Sequence, residues 1–416
     1  MYYIRLLRPV KIESTAAGPE VSLLLTITTD LGDSFLCPDE HGADLMIAVV
    51  DTAAVVRKRR IFGWKMGMRV LDVKFKLWPE LKGEPVNCSI IIHPTDQLDQ
   101  PRETSEPSGA LHAREVLSFK TGMTDAYRAV TTVPARIEIV NGVCAPVSLR
   151  TLGIEKDWTD GKDGSDEKDQ MLHLEFEEDI GESIARHIWD AGVVMSTYLA
   201  DACSSPDSIR SILPIENKTF NVLELGSGVG ILGITMASIL PRAAAAQGKT
   251  LKNARVLLTD LEEAEERAKS NIAKAKATLA KANMSDTKRV SIQYENLDWN
   301  DGRNGLVGPL VAATRWDLVV LSDCTYNVDS FPALVGTLNS LHTIKQRHHA
   351  TGEGVAKSSV LLATKPRHSS ERDLFRLLEA HKWTYRLVKE IQLAKAEDDD
   401  ELYEFVEIYL LEKGDS

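Results

Sequence analysis

Two different rhythms of apolar and polar positions run along the 416 residues of this chain. Through residue 150 the apolar positions fall in short runs rich in β-branched side chains: YYIRLL, VSLLLTITTD, DLMIAVVD, MRVLDVKFKLW, NCSIIIH and ARIEIV. Turn formers separate several of them and no long helical period intervenes, so residues 1–150 are expected to form a β-rich domain, a sandwich or small barrel. The stretch TLGIEKDWTDGKDGSDEKDQ, residues 151–170, is strongly charged and is expected to be a linker.

From residue 171 to residue 416 the rhythm changes to strands alternating with helices. A short strand, LHLEFEE, precedes an apolar helix, HIWDAGVVMSTYLADAC; then FNVLELG reads as a buried strand and ILGITMASIL as a helix. ARVLLTD, VSIQYENL, WDLVVLSD and SVLLATK are further strands, with helices in EEAEERAKSNIAKAKATLAKA, FPALVGTLNSLHTIK and SERDLFRLLEAH. Alternation of this kind implies an α/β fold with a mostly parallel, Rossmann-like sheet and right-handed crossovers. Two closing strands, TYRLVKEI and YEFVEIYLLE, have no helix between them, which puts an antiparallel member at the sheet's edge. The acidic run Glu397–Glu401 between them reads as a solvated hairpin turn.

The net charge of -12 disfavours sequence-independent nucleic-acid binding unless a local basic face exists, and suits basic protein partners better. Five scattered cysteines without a CxxC pair argue against a disulfide framework or a zinc site, so no metal is expected. No apolar stretch approaches the roughly 20 residues of a membrane span. The expectation is a reduced, soluble, cytoplasmic monomer, with the nucleus also open, that contacts neither membrane nor nucleic acid.

Chemistry concentrates in the second half. Val222 to Gly233 runs from a strand through Gly226, Ser227, Gly228 and Gly230 into a helix. Glycines there let the backbone approach a ligand and take conformations a Cβ forbids. Such turns bind nucleoside ligands, and Gly228-x-Gly230-x-x-Gly233 also fits a dinucleotide pattern. Asp260 ends the next strand, where a carboxylate can accept hydrogen bonds from both ribose hydroxyls or cap the following helix. It lies about 30 residues beyond Gly228, against a usual spacing of about 20, and the insertion PRAAAAQGKTLKN accounts for the excess. Trp299, after the third strand, could stack on an adenine or sit in the core. Asp323 and Tyr326 follow the buried strand Leu318–Leu321 at the edge where α/β folds bind ligands. A carboxylate and a phenol so spaced could grip an amine.

In these blocks, residues 170–412 resemble the seven-β-strand protein-lysine N-methyltransferases that modify chaperones and translation elongation factors. Ile188 to Leu199 is similar to the family's helix before the first strand, Glu224 to Gly230 to its cofactor loop, Asp298-Trp299 to its adenine motif, and Asp323-Cys-Thr-Tyr326 to its DxxY motif. LATKPRH is similar to its late strand with the basic residues that follow. Gly192 departs from the family's usual alanine. The resemblance implies a seven-stranded methyltransferase sheet and S-adenosylmethionine as cofactor, held by Trp189, Gly226, Ser227, Gly228, Asp260, Trp299 and Ser322. It implies that Asp323 orients a lysine amine while Tyr326 shapes the pocket. Cys324, inside the motif, reads as a buried small hydrophobe. Other acceptors, a small amine or RNA, and a non-catalytic scaffold on the same fold are the alternatives. Residues 1–150 lie outside the resemblance and carry no catalytic constellation; they are expected to help recognise the protein substrate or to shield the sheet.

Overall fold

The computed structural model describes residues 1–16, 18–38, 42–77, 86–95, 109–112, 116–117, 132–155, 171–181, 184–282, 289–349, 357–393 and 404–414. The chain divides into two compact units, residues 1–153, 175–187 and 393–403 forming one and residues 154–174, 188–392 and 404–416 the other.

The first unit is built from two sheets. One orders Lys11–Thr15, Gly18–Thr29, Tyr2–Leu6 and Thr132–Val133, with Leu71–Lys76 also paired to the long strand. The other runs Met171–Asp179, Val147–Glu155, Ala135–Val140, Cys88–Thr95, Ala43–Asp51 and Val56–Trp64, with two short strands off this path. Period-two patterning turns Leu23, Leu25 and Ile27 of the first sheet and Leu45, Ile47, Ile90 and Ile92 of the second into one shared core. Arg150 is buried beside it, pairing with Glu178 and donating to the carbonyls of Ile4 at 2.7 Å and Pro134 at 2.8 Å. Burial works to raise the Glu178 pKa, but the Arg150 guanidinium holds it well below the ordinary carboxylate range.

Two expectations about organisation are corrected here. LHLEFEE does not join the seven-stranded sheet: Met171–Asp179 is the terminal strand of the larger sheet, with Leu172, Leu174, Phe176 and Glu178 turned inward at alternate positions, and the division between the units falls within it after Leu174. Thr151–Glu155 completes the strand Val147–Glu155, so a linker beginning at 151 is also displaced. The rest of that stretch, 156–170, and the acidic run Glu397–Glu401 lie outside the described residues.

The second unit carries a seven-stranded sheet. Its strands are β1 (Thr219–Leu225), β2 (Asn253–Asp260), β3 (Val290–Asn296), β4 (Leu318–Ser322), β5 (Ser358–Thr364), β6 (Thr384–Gln392) and β7 (Phe405–Lys413). They lie in the order β3-β2-β1-β4-β5-β7-β6. β3, β2, β1, β4 and β5 pair in parallel, and β7 is antiparallel to both β5 and β6. The antiparallel member is therefore one place in from the edge, because β7 inserts between β5 and β6. The central strands are apolar on both faces, as Val222–Leu225 and Leu318–Leu321 show, because helices cover each side. The helices are α1 (Asp190–Ala202), α2 (Pro206–Ile212), α3 (Ile231–Ala246), α4 (Glu262–Lys281), α5 (Phe331–His349) and α6 (Asp373–Ala380). The stretch read as an insertion begins inside α3, which continues through Pro241 to Ala246. Every parallel strand of this sheet delivers its carboxyl end to one edge, and the sequence motifs sit there.

Candidate active site

The loop after β1 is held open by backbone conformation. Gly226, Gly228 and Gly230 take φ values of 65°, 51° and 87°, in the left-handed region that side chains resist. At Gly226 a Cβ would lie 2.6 Å from Cys324 Sγ and 3.3 Å from the Trp299 ring, so the loop passes tightly between those two side chains. Gly230 caps α3, and Glu224, fully buried behind the loop, accepts the Gly233 N–H at 3.0 Å. Burial pushes the Glu224 pKa well above the ordinary carboxylate range. Sequence patterning did not single out Glu224, although it stands in the ELGSG block.

Asp260 ends β2 and faces the loop. Its Oδ2 accepts the Gly228 N–H at 2.7 Å and its Oδ1 the Leu261 N–H at 2.7 Å. Burial raises its pKa against these two bonds. Each oxygen keeps a further lone pair, so two hydroxyls can still be accepted. The expected cap is not formed, because Leu261 takes the N-cap place of α4 with no side-chain cap bond; the acceptors that remain on Asp260 fit the expected ribose contact. Trp299 is half-buried against Gly226 and begins a short helical turn capped by Asp298, which accepts the Asn300 N–H at 2.8 Å.

Asp323 follows β4 directly, and it is a non-glycine residue at φ 53°. Its own N–H donates to the Ala363 carbonyl at 3.1 Å, which fixes that unusual backbone. Its carboxylate is 8% exposed; Oδ2 accepts the Ala191 N–H at 2.6 Å, closing the first turn of α1. Oδ1 lies 3.3 Å from Arg367 Nη1, and the Arg367 guanidinium also sits over the Trp189 ring, 5.7 Å from its centroid. Trp189 is the residue that starts α1. Ser322 lies against the same helix: a Cβ on Gly192 would come within 3.3 Å of its Oγ and 3.0 Å of Ile231. That close packing is a physical reason for glycine where alanine is usual.

Cys324 is buried, and burial pushes its thiol well above the ordinary range. It acts as a filler between Gly226 and Asp323. Tyr326 differs from its neighbours in being 56% exposed, with its phenol pKa raised chiefly by partial burial.

The structure therefore brings Gly226, Ser227, Gly228, Asp260 and Trp299 together as one cluster. It sets Trp189, Ser322 and Asp323 beside it as a second. Tyr326 stands at the surface, close enough to Asp260 to feel its charge. Sequence reading missed the two ion pairs of the buried Lys365 that brace the second cluster, one to buried Asp190 and one to exposed Glu404. Lys365 Nζ lies 2.9 Å from Asp190 and 2.8 Å from Glu404, tying α1 to β5 and to the start of β7. The signal was the pair of basic residues after β5, Lys365 and Arg367, whose partners are far away in sequence.

A sequence profile described as "Lysine methyltransferase" matches residues 168–381, half of the chain. The chain belongs to this lysine methyltransferase family. A UPF0665 family protein of Schizosaccharomyces pombe is 34% identical over 210 residues, covering 50% of this chain and 51% of that protein. The chain thus spans about half the length of that relative. Protein N-lysine methyltransferase METTL21A of Danio rerio is 25% identical over 226 residues, covering 53% of this chain and 81% of that protein. The mouse protein of the same name is 25% identical over 218 residues, covering 51% and 78%.

The family's cofactor is S-adenosylmethionine. The first cluster fits it: Ser227 Oγ is buried with no hydrogen-bond partner, a Cβ at Gly226 would fill the cradle, and Asp260 offers acceptors beside the loop. Sulfonium cofactors carry an adenosine, which needs this set of a hydroxyl acceptor, close backbone and a flat apolar ring.

Proposed function

We propose that this protein transfers the methyl group of S-adenosylmethionine to the ε-amine of a lysine on a non-histone protein, with translation elongation factors and chaperones as the substrate classes. On this reading the protein works in the cytoplasm, with the nucleus also open. The observation that carries this is Asp323. A buried carboxylate at positive φ directly follows the strand paired with β1, and its neighbour Cys324 packs against the glycine loop at Gly226. Holding an aspartate there costs on the order of 1–3 kcal/mol of backbone strain, and strain of this kind collects at functional sites.

Bound in the first cluster, the cofactor supplies a methyl group on a positively charged sulfur. The chain therefore has to position and desolvate the acceptor rather than activate the donor. Asp260 would accept the ribose hydroxyls, the Ser227 hydroxyl would gain a partner, and Trp299 would cover one face of the adenine. Asp323 orients the amine. Its Oδ2 is fixed by the Ala191 N–H and its Oδ1 faces the Arg367 guanidinium, so the carboxylate is held in one orientation. A free lysine has a pKa near 10.4 and must arrive or become neutral before it can attack. Arg367, in contact with Asp323 Oδ1, favours the neutral form because a second cation close by penalises the ammonium. The proton goes to water or to Asp323. Tyr326, at the surface, shapes the approach of the lysine arm.

The test is incubation of the purified chain with methyl-labelled S-adenosylmethionine and a cell extract, followed by acid hydrolysis of the protein fraction. Labelled N-methyl-lysine is expected. Label confined to RNA or to small amines would replace the protein acceptor with one of those.

A further inference from the structure

The chain as a whole is acidic, yet from Val56 to Lys76 it sets eight lysines and arginines against one carboxylate, Asp72. Basic partners, the expectation from net charge, do not suit this region. The structure gathers these cations onto a sheet edge of the first unit. Val56–Trp64 is the terminal strand of the larger sheet, and its outer edge has no strand partner among the described residues. Leu71–Lys76, of the smaller sheet, reaches the same place: Lys58 Nζ donates to the Lys76 carbonyl and lies 6.0 Å from the Phe75 ring centroid. Arg60, Lys65, Arg69, Lys74 and Lys76 are exposed. Burial, and then the nearby charge of Arg60, lower the Lys58 pKa. Cations crowded this closely gain from an anionic partner.

Charged edge strands are a common device against unwanted pairing. This edge adds apolar surface to its charge, for Val55, Ile61, Met66 and Val70 are 46%, 57%, 60% and 44% exposed. A single-stranded nucleic acid would call for exposed aromatic platforms. The aromatics of this segment are half-buried (Phe62) or buried (Trp64, Phe75), and the exposed apolar groups are aliphatic. Strand geometry, cations and aliphatics together fit a polypeptide.

We propose that this edge docks an acidic, extended segment of a partner protein. The segment pairs as an added strand along Val56–Trp64, its carboxylates meet the cations, and its apolar side chains cover Ile61, Met66 and Val70. This docking stands independently of methyl transfer and fails or holds by its own experiment.

Full-length protein is titrated with a fluorescent peptide of about ten residues alternating Glu and Val, long enough to pair with a nine-residue strand. A Glu/Ser peptide and an oligouridylate of equal charge serve as comparisons. The Glu/Val peptide is expected to bind at least about tenfold more tightly than either, a margin of about 1.4 kcal/mol. It should weaken with salt and slow amide hydrogen exchange across Val56–Trp64. The double substitution Arg60→Glu, Lys74→Glu, at two exposed sites, is expected to cost about tenfold or more in affinity with the melting temperature unchanged; Ile61→Ser is expected to remove the preference for Val over Ser. Equal binding of both peptides, tighter binding of the oligouridylate, protection elsewhere in the chain, or undiminished binding by the charge-reversed protein would overturn the proposal.

Discussion

Asp260 and Asp323 end strands β2 and β4 of one sheet, and each accepts a backbone N–H within 2.7 Å, yet they are built differently. Asp260 is half-exposed, and both of its oxygens accept backbone N–H groups of the segment it shares with the glycine loop. Asp323 is buried, sits at φ 53°, closes the first turn of a helix 132 residues earlier in the chain, and touches a guanidinium. Under the proposed function, one sheet edge supports two tasks. A carboxylate that accepts neutral hydroxyls would stay near water, and one that orients an amine would be drawn inward and fixed from three sides, as Asp323 is.

The largest effect should come from Asp323→Ala. Methyl transfer is expected to vanish, and the fold should lose stability too. Alanine leaves the Ala191 N–H without its acceptor, a cost of about 1–3 kcal/mol, and is strained at positive φ where asparagine is tolerated. Thermal unfolding reads the second effect apart from the first. A melting temperature equal to wild type would mean that Asp323 does not brace α1.

Asp260→Ala is expected to act on the other half of the comparison. Losing charge-assisted bonds at about 1.5–3 kcal/mol each should weaken S-adenosylmethionine binding by tenfold or more in calorimetry, while transfer at saturating cofactor largely survives. Unchanged affinity would remove Asp260 from the cofactor site.

A pH titration sharpens this further. The Asp260 pKa is raised, with burial the main cause. By linkage, a carboxyl group raised in the folded state adds stability that is present below the ordinary carboxylate value and lost as pH rises through the raised one. Cofactor binding has the opposite sign, because the ionised group is the acceptor. Affinity should therefore decline as pH falls from neutrality, beginning above the ordinary range near 4. In Asp260→Asn the profile should flatten, and a decline of equal size in that variant would assign the effect elsewhere.

Tyr326→Phe should have the smallest effect. The side chain is 56% exposed, so removal of its hydroxyl is expected to change turnover by a few-fold at most, near 1 kcal/mol or about one neutral hydrogen bond. A loss as large as that of Asp323→Ala would show that the phenol closes over the amine.

How far the sequence revealed these features depended on how local their causes are. The glycine loop was legible because positive φ leaves a residue signature at the position that needs it. The central strands were legible because burial on both faces demands continuous apolar runs. Val56–Trp64 went unread as a strand, since VRKRRIFGW at a sheet edge has neither a clean alternation nor an apolar run. Met171–Asp179 is legible as a strand but its sheet is not, because pairing partners are not written in either strand. The Lys365–Asp190 pair joins residues 175 apart, and nothing local in either segment announces it. Tyr326 was visible in its motif, but its exposure is a property of the folded surface.

The division of labour between the two aspartates is tested most directly by Asp323→Asn. Asparagine keeps the positive φ and an oxygen for the Ala191 N–H while removing the charge. Cofactor affinity and methyl transfer are measured on the same preparation. Affinity for S-adenosylmethionine within about twofold of wild type, less than 0.5 kcal/mol, together with loss of transfer to protein lysine, is the expected result. Full transfer activity, or a loss of cofactor binding as large as that of Asp260→Ala, would contradict it.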